Sequence, residues 1–168
     1  MQYLVSEFFD LLEKQPTKEG KIGFLRQHNN DVVRTMLRFN FDYNLKWSLP
    51  EGEPPYTKIL DRPMGFEQTT LQRELRRMYI WVNTSENISQ LKREALFVSM
   101  LEGLHHTEAE IMCLVKDGKL ETKYPSITHE LIMEAFPGLL PAPRPKPEPE
   151  KVVKKSRTKK SLQQSAVM

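Results

Sequence analysis

The sequence predicts a mainly α-helical protein: a compact bundle of about six short helices crossed by an extended strap, with a disordered C-terminal tail. Three observations carry that prediction. Apolar side chains recur at three- and four-residue intervals through most of residues 1–138, the pattern that turns one face of a helix inward. Between Phe39 and Thr57 the pattern stops, and four aromatics, Phe39, Phe41, Tyr43 and Trp47, run into Pro50-Glu51-Gly52-Glu53-Pro54-Pro55. Each proline there fixes its own φ and pushes the residue before it out of the helical region, so the stretch reads as a strap that neighbouring helices close over. From Pro141 onward, prolines and then lysines replace the apolar residues.

Taken in order, Tyr3, Leu4, Phe8, Leu11 and Leu12 mark a first helix that Pro16 stops. Thr17 caps a second, with Ile22, Phe24 and Leu25 inward, ending near His28-Asn29-Asn30. Asn30 or Asp31 caps a third, with Val32, Val33, Met36 and Leu37 inward. The strap and a following loop occupy 39–65, the loop marked by Asp61-Arg62-Pro63-Met64-Gly65. Helical spacing returns from Phe66 to Val82 through Leu71, Leu75, Met78 and Tyr79. Ile88 to Leu104 is the most apolar stretch and is expected to be the central helix of the core. Thr107-Glu108-Ala109-Glu110 matches a capping box, placing a helix start there and an end at Asp117-Gly118. Lys119 to Tyr124 is a short connection, and Ser126 or Thr128 caps a last helix ended by Pro137-Gly138.

A chain of 168 residues fits one domain, here 1–138, followed by a proline-rich spacer and basic tail over 139–168. The net charge of +3 is unevenly placed. Residues 139–168 hold eight basic against two acidic side chains, or +6, and residues 1–138 hold 17 basic and 20 acidic, or −3. A polyanion is therefore expected on the tail and not on a folded face. The single cysteine, Cys113, excludes an intramolecular disulfide and points to a reducing compartment. Met1 to Leu12 lacks the basic start of a signal peptide, and no apolar run is long enough to span a bilayer.

Residues that carry chemistry are weighed against their structural role. Glu102 and His105 have the Glu-x-x-His spacing of di-metal bundles, but the motif does not recur, so a solvated helix end is the expectation. His105 and His106 with Glu108 and Glu110 make a poor metal set, because adjacent histidines point different ways on a helix. His129-Glu130 starts a zinc-protease pattern that fails where Met133 replaces the second histidine. Cys113 lies on an apolar face and reads as core, and the scattered glycines build no phosphate loop. The sequence therefore offers no catalytic residue, no metal ligand and no cofactor site. Arg73, Arg76 and Arg77, beside Tyr79 and Trp81, read first as a solvated basic face and second as a nucleic-acid contact. Together with Trp47 and Tyr56 of the strap, these three arginines form the candidate partner-binding set. Lys151, Lys154, Lys155, Arg157, Lys159 and Lys160 are the candidate nucleic-acid contacts, of the sequence-independent, salt-sensitive kind.

Three stretches carry a resemblance. These are Lys18-Glu19-Gly20-Lys21 with Leu25-Arg26-Gln27, Val33-Arg34-Thr35-Met36-Leu37-Arg38 with Phe41-Asp42, and Trp47 through Tyr56. It continues in Lys92-Arg93-Glu94, Met100-Leu101-Glu102-Gly103-Leu104-His105 and Glu134-Ala135-Phe136-Pro137-Gly138-Leu139. The chain resembles a family of small proteins of T-even-like tailed bacteriophages, cyanophages included, over most of residues 1–140 and none of the basic end. That family has no assigned activity, so the resemblance implies a setting, the host bacterial cytoplasm with the virion as the alternative, and no site residue. The function expected is a non-enzymatic accessory that binds a phage or host protein, with DNA or RNA contact through the tail. A virion-associated or assembly protein is the second reading, and an enzyme assembled from distant residues the third.

Overall fold

The structure is a computed structural model that describes residues 3–83 and 87–143. Its helices are α1 Val5–Glu13, α2 Lys18–Gln27, α3 Asp31–Phe41, α4 Leu71–Glu74, α5 Gln90–Gly103, α6 His106–Lys116, α7 Leu120–Lys123 and α8 His129–Ala135, with a 3-10 segment over Leu75–Ile80 between α4 and α5. Among the described residues the only β pairing is an isolated antiparallel bridge between Trp47 and Val82. The fold is mainly helical, as the apolar spacing requires.

The first three helices follow their caps. Thr17 Oγ1 accepts the Gly20 N–H, and Asn30 Oδ1 accepts the Val33 N–H at 2.9 Å. At the end of α1 the buried Lys21 ammonium donates to the carbonyls of Leu12, Glu13 and Gln15, supplying the last turn with the donors that helix geometry leaves it without. α3 runs through Phe39 and Phe41, so the strap begins at Asp42 and not at Phe39. No proline intervenes before Pro50, and the helix continues until the Asp42 carboxylate accepts the Asn44 N–H and turns the chain.

Two further expectations change on contact with the tertiary structure. Phe66 to Thr70 is not helical: the N–H groups of Gln68 and Thr69 both donate to the Gly103 carbonyl, at 3.0 and 3.1 Å, and that of Leu71 to Glu108. From Leu75 the chain winds as a 3-10 helix, which stacks residues three apart and so sends Met78 and Trp81 into the core on one line. The central helix is α6, not α5. α6 packs on α1, α3, α5 and α7, and Ala109, Ile111, Met112 and Val115 are fully enclosed. α5 is apolar on more than one side, burying Phe97, Met100 and Leu101 while Leu91 stays 80% exposed.

The expected capping box at Thr107 also gives way. His105 is the N-cap of α6, Thr107 Oγ1 is shared between Ser6 and His105, and Glu110 is exposed and paired with Lys123 at 2.9 Å. Lys119 to Tyr124, expected as a plain connection, contains the turn of helix α7, and Thr128 is the cap of α8. Packing continues past residue 138, with Leu140 buried. The tail candidates Lys151, Lys154, Lys155, Arg157, Lys159 and Lys160 lie outside the described residues. No described helix is long and apolar enough to cross a membrane.

Candidate functional site

The strap is held by the ends of two helices, and that anchoring makes a cleft. At its start Ser48 donates its N–H to the Trp81 carbonyl at 2.7 Å while its own carbonyl accepts from Gln90, in the first turn of α5. The C-terminal end of α6 holds the next stretch. The buried Lys116 ammonium donates to the Pro50 carbonyl at 2.8 Å, the Asp117 carboxylate accepts the Gly52 N–H, and Lys119 pairs with Glu51. Gly52 has φ +97°, a conformation that side-chain-bearing residues rarely adopt.

The C-terminal end of α5 holds the far side. Glu102 Oε1 accepts the Thr57 N–H at 3.0 Å, and the carbonyl of Glu102 accepts from the Arg62 guanidinium. His105 spans two elements. Its Nδ1 accepts the Thr107 N–H in capping α6, which leaves Nε2 to carry the proton and donate to the Arg62 carbonyl at 3.1 Å. Thus Glu102 and His105, spaced as metal ligands would be, are spent on the strap. His105 is buried at 3% exposure and is not the solvated helix end the sequence suggested. No group of three or more His, Cys, Asp or Glu among the described residues is arranged to hold a metal ion.

Between these anchors the strap bows away from α5. Leu49 to Pro55 on one side and Leu91, Glu94, Ala95, Phe97 and Val98 on the other enclose an open, mostly apolar cleft of about 370 Å³. Glu94 and Ala95 lie three and four residues after Leu91, Val98 follows them at four and three, and Glu102 lies four beyond Val98, so the five share one face of α5. The cleft therefore lies along the same helix face that Glu102 uses to hold Thr57. Beyond Thr57 the chain forms a loop in which Ile59, Leu60, Met64 and Phe66 are 45, 65, 49 and 76% exposed. This loop is anchored through Arg62, so its apolar side chains are presented on a fixed base. Glu51, Glu53 and Glu94 give the cleft an acidic lip, with Glu53 paired to Lys58 at 2.5 Å.

The residues singled out in the sequence separate into different places. Trp47 packs edge-on against Phe39, with ring centroids 5.3 Å apart, and both Trp47 and Tyr56 pack on the core. Lys58 sits 5.4 Å over the Tyr56 ring. Arg77 pairs with Glu74 at 3.1 Å, while Arg73 and Arg76 border a separate shallow recess with Asp31 and Gln72. The strap aromatics and the arginines thus belong to different surfaces. Leu91, the most exposed large apolar side chain in the described fold, was not singled out. Its place within an apolar run hid the fact that α5 has two apolar sides.

The buried titratable groups are arranged to hold structure. Glu108, 1% exposed, accepts the N–H of Val5 with one oxygen and that of Leu71 with the other, both at 3.1 Å, so one carboxyl caps α1 and α4 together. Burial raises its pKa above the ordinary value, and the two donors oppose that rise. Burial pushes the Cys113 thiol up to about 12, the opposite of the depression that activates a thiolate. Tyr56 and Tyr124 are also raised, first by burial. His106 is held below its ordinary value by burial and then by the neighbouring His105 ring, 4.4 Å away.

No curated protein and no solved structure matches the chain. The model of a family of unknown function, DUF6433, matches residues 9–122, a span that takes in the strap, the whole of α5 and the cleft between them. With two thirds of its length matched, the chain belongs to that family.

Proposed function

We propose that the protein is a non-enzymatic docking module that binds a protein partner on the face formed by the strap cleft and the Ile59–Phe66 loop. One observation carries this reading: the same strap that walls the apolar cleft continues into a loop of exposed apolar side chains, on backbone held at both ends by hydrogen bonds to the body. Burying each large apolar side chain is worth roughly 1.5 to 3 kcal/mol, so a contact that covers Leu60, Phe66 and Leu91 has enough to draw on. The cleft is at the small end of ligand-pocket volumes and open along its length, which suits the side chains of a peptide segment. Its acidic lip favours an apolar segment flanked by lysine or arginine. The tail supplies a second, sequence-independent contact to nucleic acid. The resemblance to tailed-phage proteins makes a phage or host protein the partner to look for.

The test is affinity capture from infected cells by the full chain and by its Leu91→Arg variant, with nuclease present. A partner retained by the native chain and lost from the folded variant supports the reading. Equal capture by both, or capture that nuclease abolishes, contradicts it.

A further inference from the structure

Resting on the reading of the cleft as a docking site, we infer that the chain carries its own competitor for it: residues 151–155, Lys-Val-Val-Lys-Lys, fold back and occupy the cleft until a partner displaces them. Three observations converge on that segment.

The first is where the described chain ends. Pro143 lines the same recess as Asp117 and Gly118, and the Asp117 carboxylate accepts the N–H of Gly52, a residue of the cleft wall. The described chain therefore ends at a recess that shares Asp117 with the anchor of the strap. The second is length. Eight residues, Arg144 to Lys151, with proline at 145, 147 and 149, separate Pro143 from Val152, and at a polyproline rise of ~3.1 Å per residue such a chain reaches about 25 Å, more than the roughly 21 Å length of a helix of 14 residues such as α5. The third is chemistry. Val152 and Val153 are the first apolar pair after Pro143, and they are enclosed by Lys151, Lys154 and Lys155. The cleft is the matching arrangement, apolar within and edged by Glu51, Glu53 and Glu94. Glu51 and Glu53 already meet Lys119 and Lys58, but as exposed pairs that a tail lysine exchanges at little cost, and Glu94 meets the neutral Gln90. The body's −3 and the tail's +6 favour the same approach.

Fold-back gives the tail two exclusive states. When its lysines lie on the cleft lip they are withheld from a polyanion, and a partner that takes the cleft frees them. Because intramolecular contact proceeds at a high effective concentration, a weak contact is enough to populate the closed state. Partner binding and nucleic-acid binding would then be positively coupled, and the coupling is reciprocal.

The experiment uses the full chain with Ser156→Cys carrying a nitroxide. Cys113 is 6% exposed with its thiol pushed up to about 12, so labelling falls on the new cysteine. In isotope-labelled protein, the amide signals of Gly52 and of Leu91 to Val98 are expected to lose most of their intensity, while those of α2 and α8 keep theirs. Val152→Asp with Val153→Asp is expected to restore the lost signals, since the aspartates lie outside the described fold. Uniform broadening, broadening centred on another face, or broadening that survives the aspartates would overturn the inference. So would broadening seen only between a nitroxide-bearing chain and a separate isotope-labelled one, which would make the occupant a second copy. These outcomes are independent of capture by Leu91→Arg, so a failed fold-back leaves the docking reading to its own test.

Discussion

Glu108 concentrates in one side chain what fixes the entry of two elements, because its oxygens take the first free N–H groups of α1 and α4. Its role has a pH signature. Its pKa is raised above the ordinary 4.5 by burial, so folding favours the protonated form. The associated stability is fully present below that unfolded value and is lost as pH rises through the shifted folded value. Urea unfolding at a series of pH values should therefore show the native chain losing stability relative to Glu108→Gln as pH rises above 4.5. A constant difference would mean that Glu108 titrates alike in both states. Lys21 is the corresponding cation. Lys21→Met leaves three carbonyls at the end of α1 without their donor, and a loss of about 1 to 3 kcal/mol is expected in the same assay. Neither residue stands out in the sequence. Glu108 sat inside a capping-box pattern whose threonine and Glu110 turned elsewhere, and Lys21 is one of many lysines with no local partner in the sequence. The partners that give them meaning come from across the fold.

At the scale of elements, helices were legible where local chemistry decides them. Thr17, Asn30 and Thr128 cap as their side chains dictate, and Pro16 and Pro137-Gly138 stop what precedes them. The strap was legible as a break in helix, because Pro50, Pro54 and Pro55 act on their own neighbours. Phe66 to Thr70 was not, since the Gly103 carbonyl and Glu108 outcompete helical bonding there. The strap's hold on the body rests on the end of α5. His105→Ala removes both the α6 cap and the bond to Arg62, so amide hydrogen exchange over residues 57–69 should quicken well before that of α6's centre. Exchange that rises equally everywhere would mean that the strap is not a separable unit.

For the whole molecule, the sequence shows where the charge lies but not which apolar side chains are left exposed. Trp47 and Tyr56, the aromatics first assigned to partners, pack on the core, while Leu91 and Phe66 are left 80 and 76% exposed. The strap is tied to both ends of α5, Ser48 to Gln90 and Thr57 to Glu102, relations of residues more than 40 positions apart. The tail's expected contribution is electrostatic. Replacing Lys154, Lys155 and Lys159 by glutamine should reduce the slope of log affinity for DNA against log salt by roughly 2 to 3. An unchanged slope would place the polyanion contact on the folded body, where Arg73 and Arg76 border their own recess.

The docking face itself is tested most directly by photo-crosslinking in infected cells, with a benzophenone side chain placed singly at Leu91, at Phe66, or at Tyr79, an exposed ring of the 3-10 segment. The account predicts that Leu91 and Phe66 join to the same protein, that nuclease leaves the adduct intact, and that Tyr79 yields none of it. Adducts from Tyr79 matching those from Leu91, or none from either cleft-face position, would contradict it.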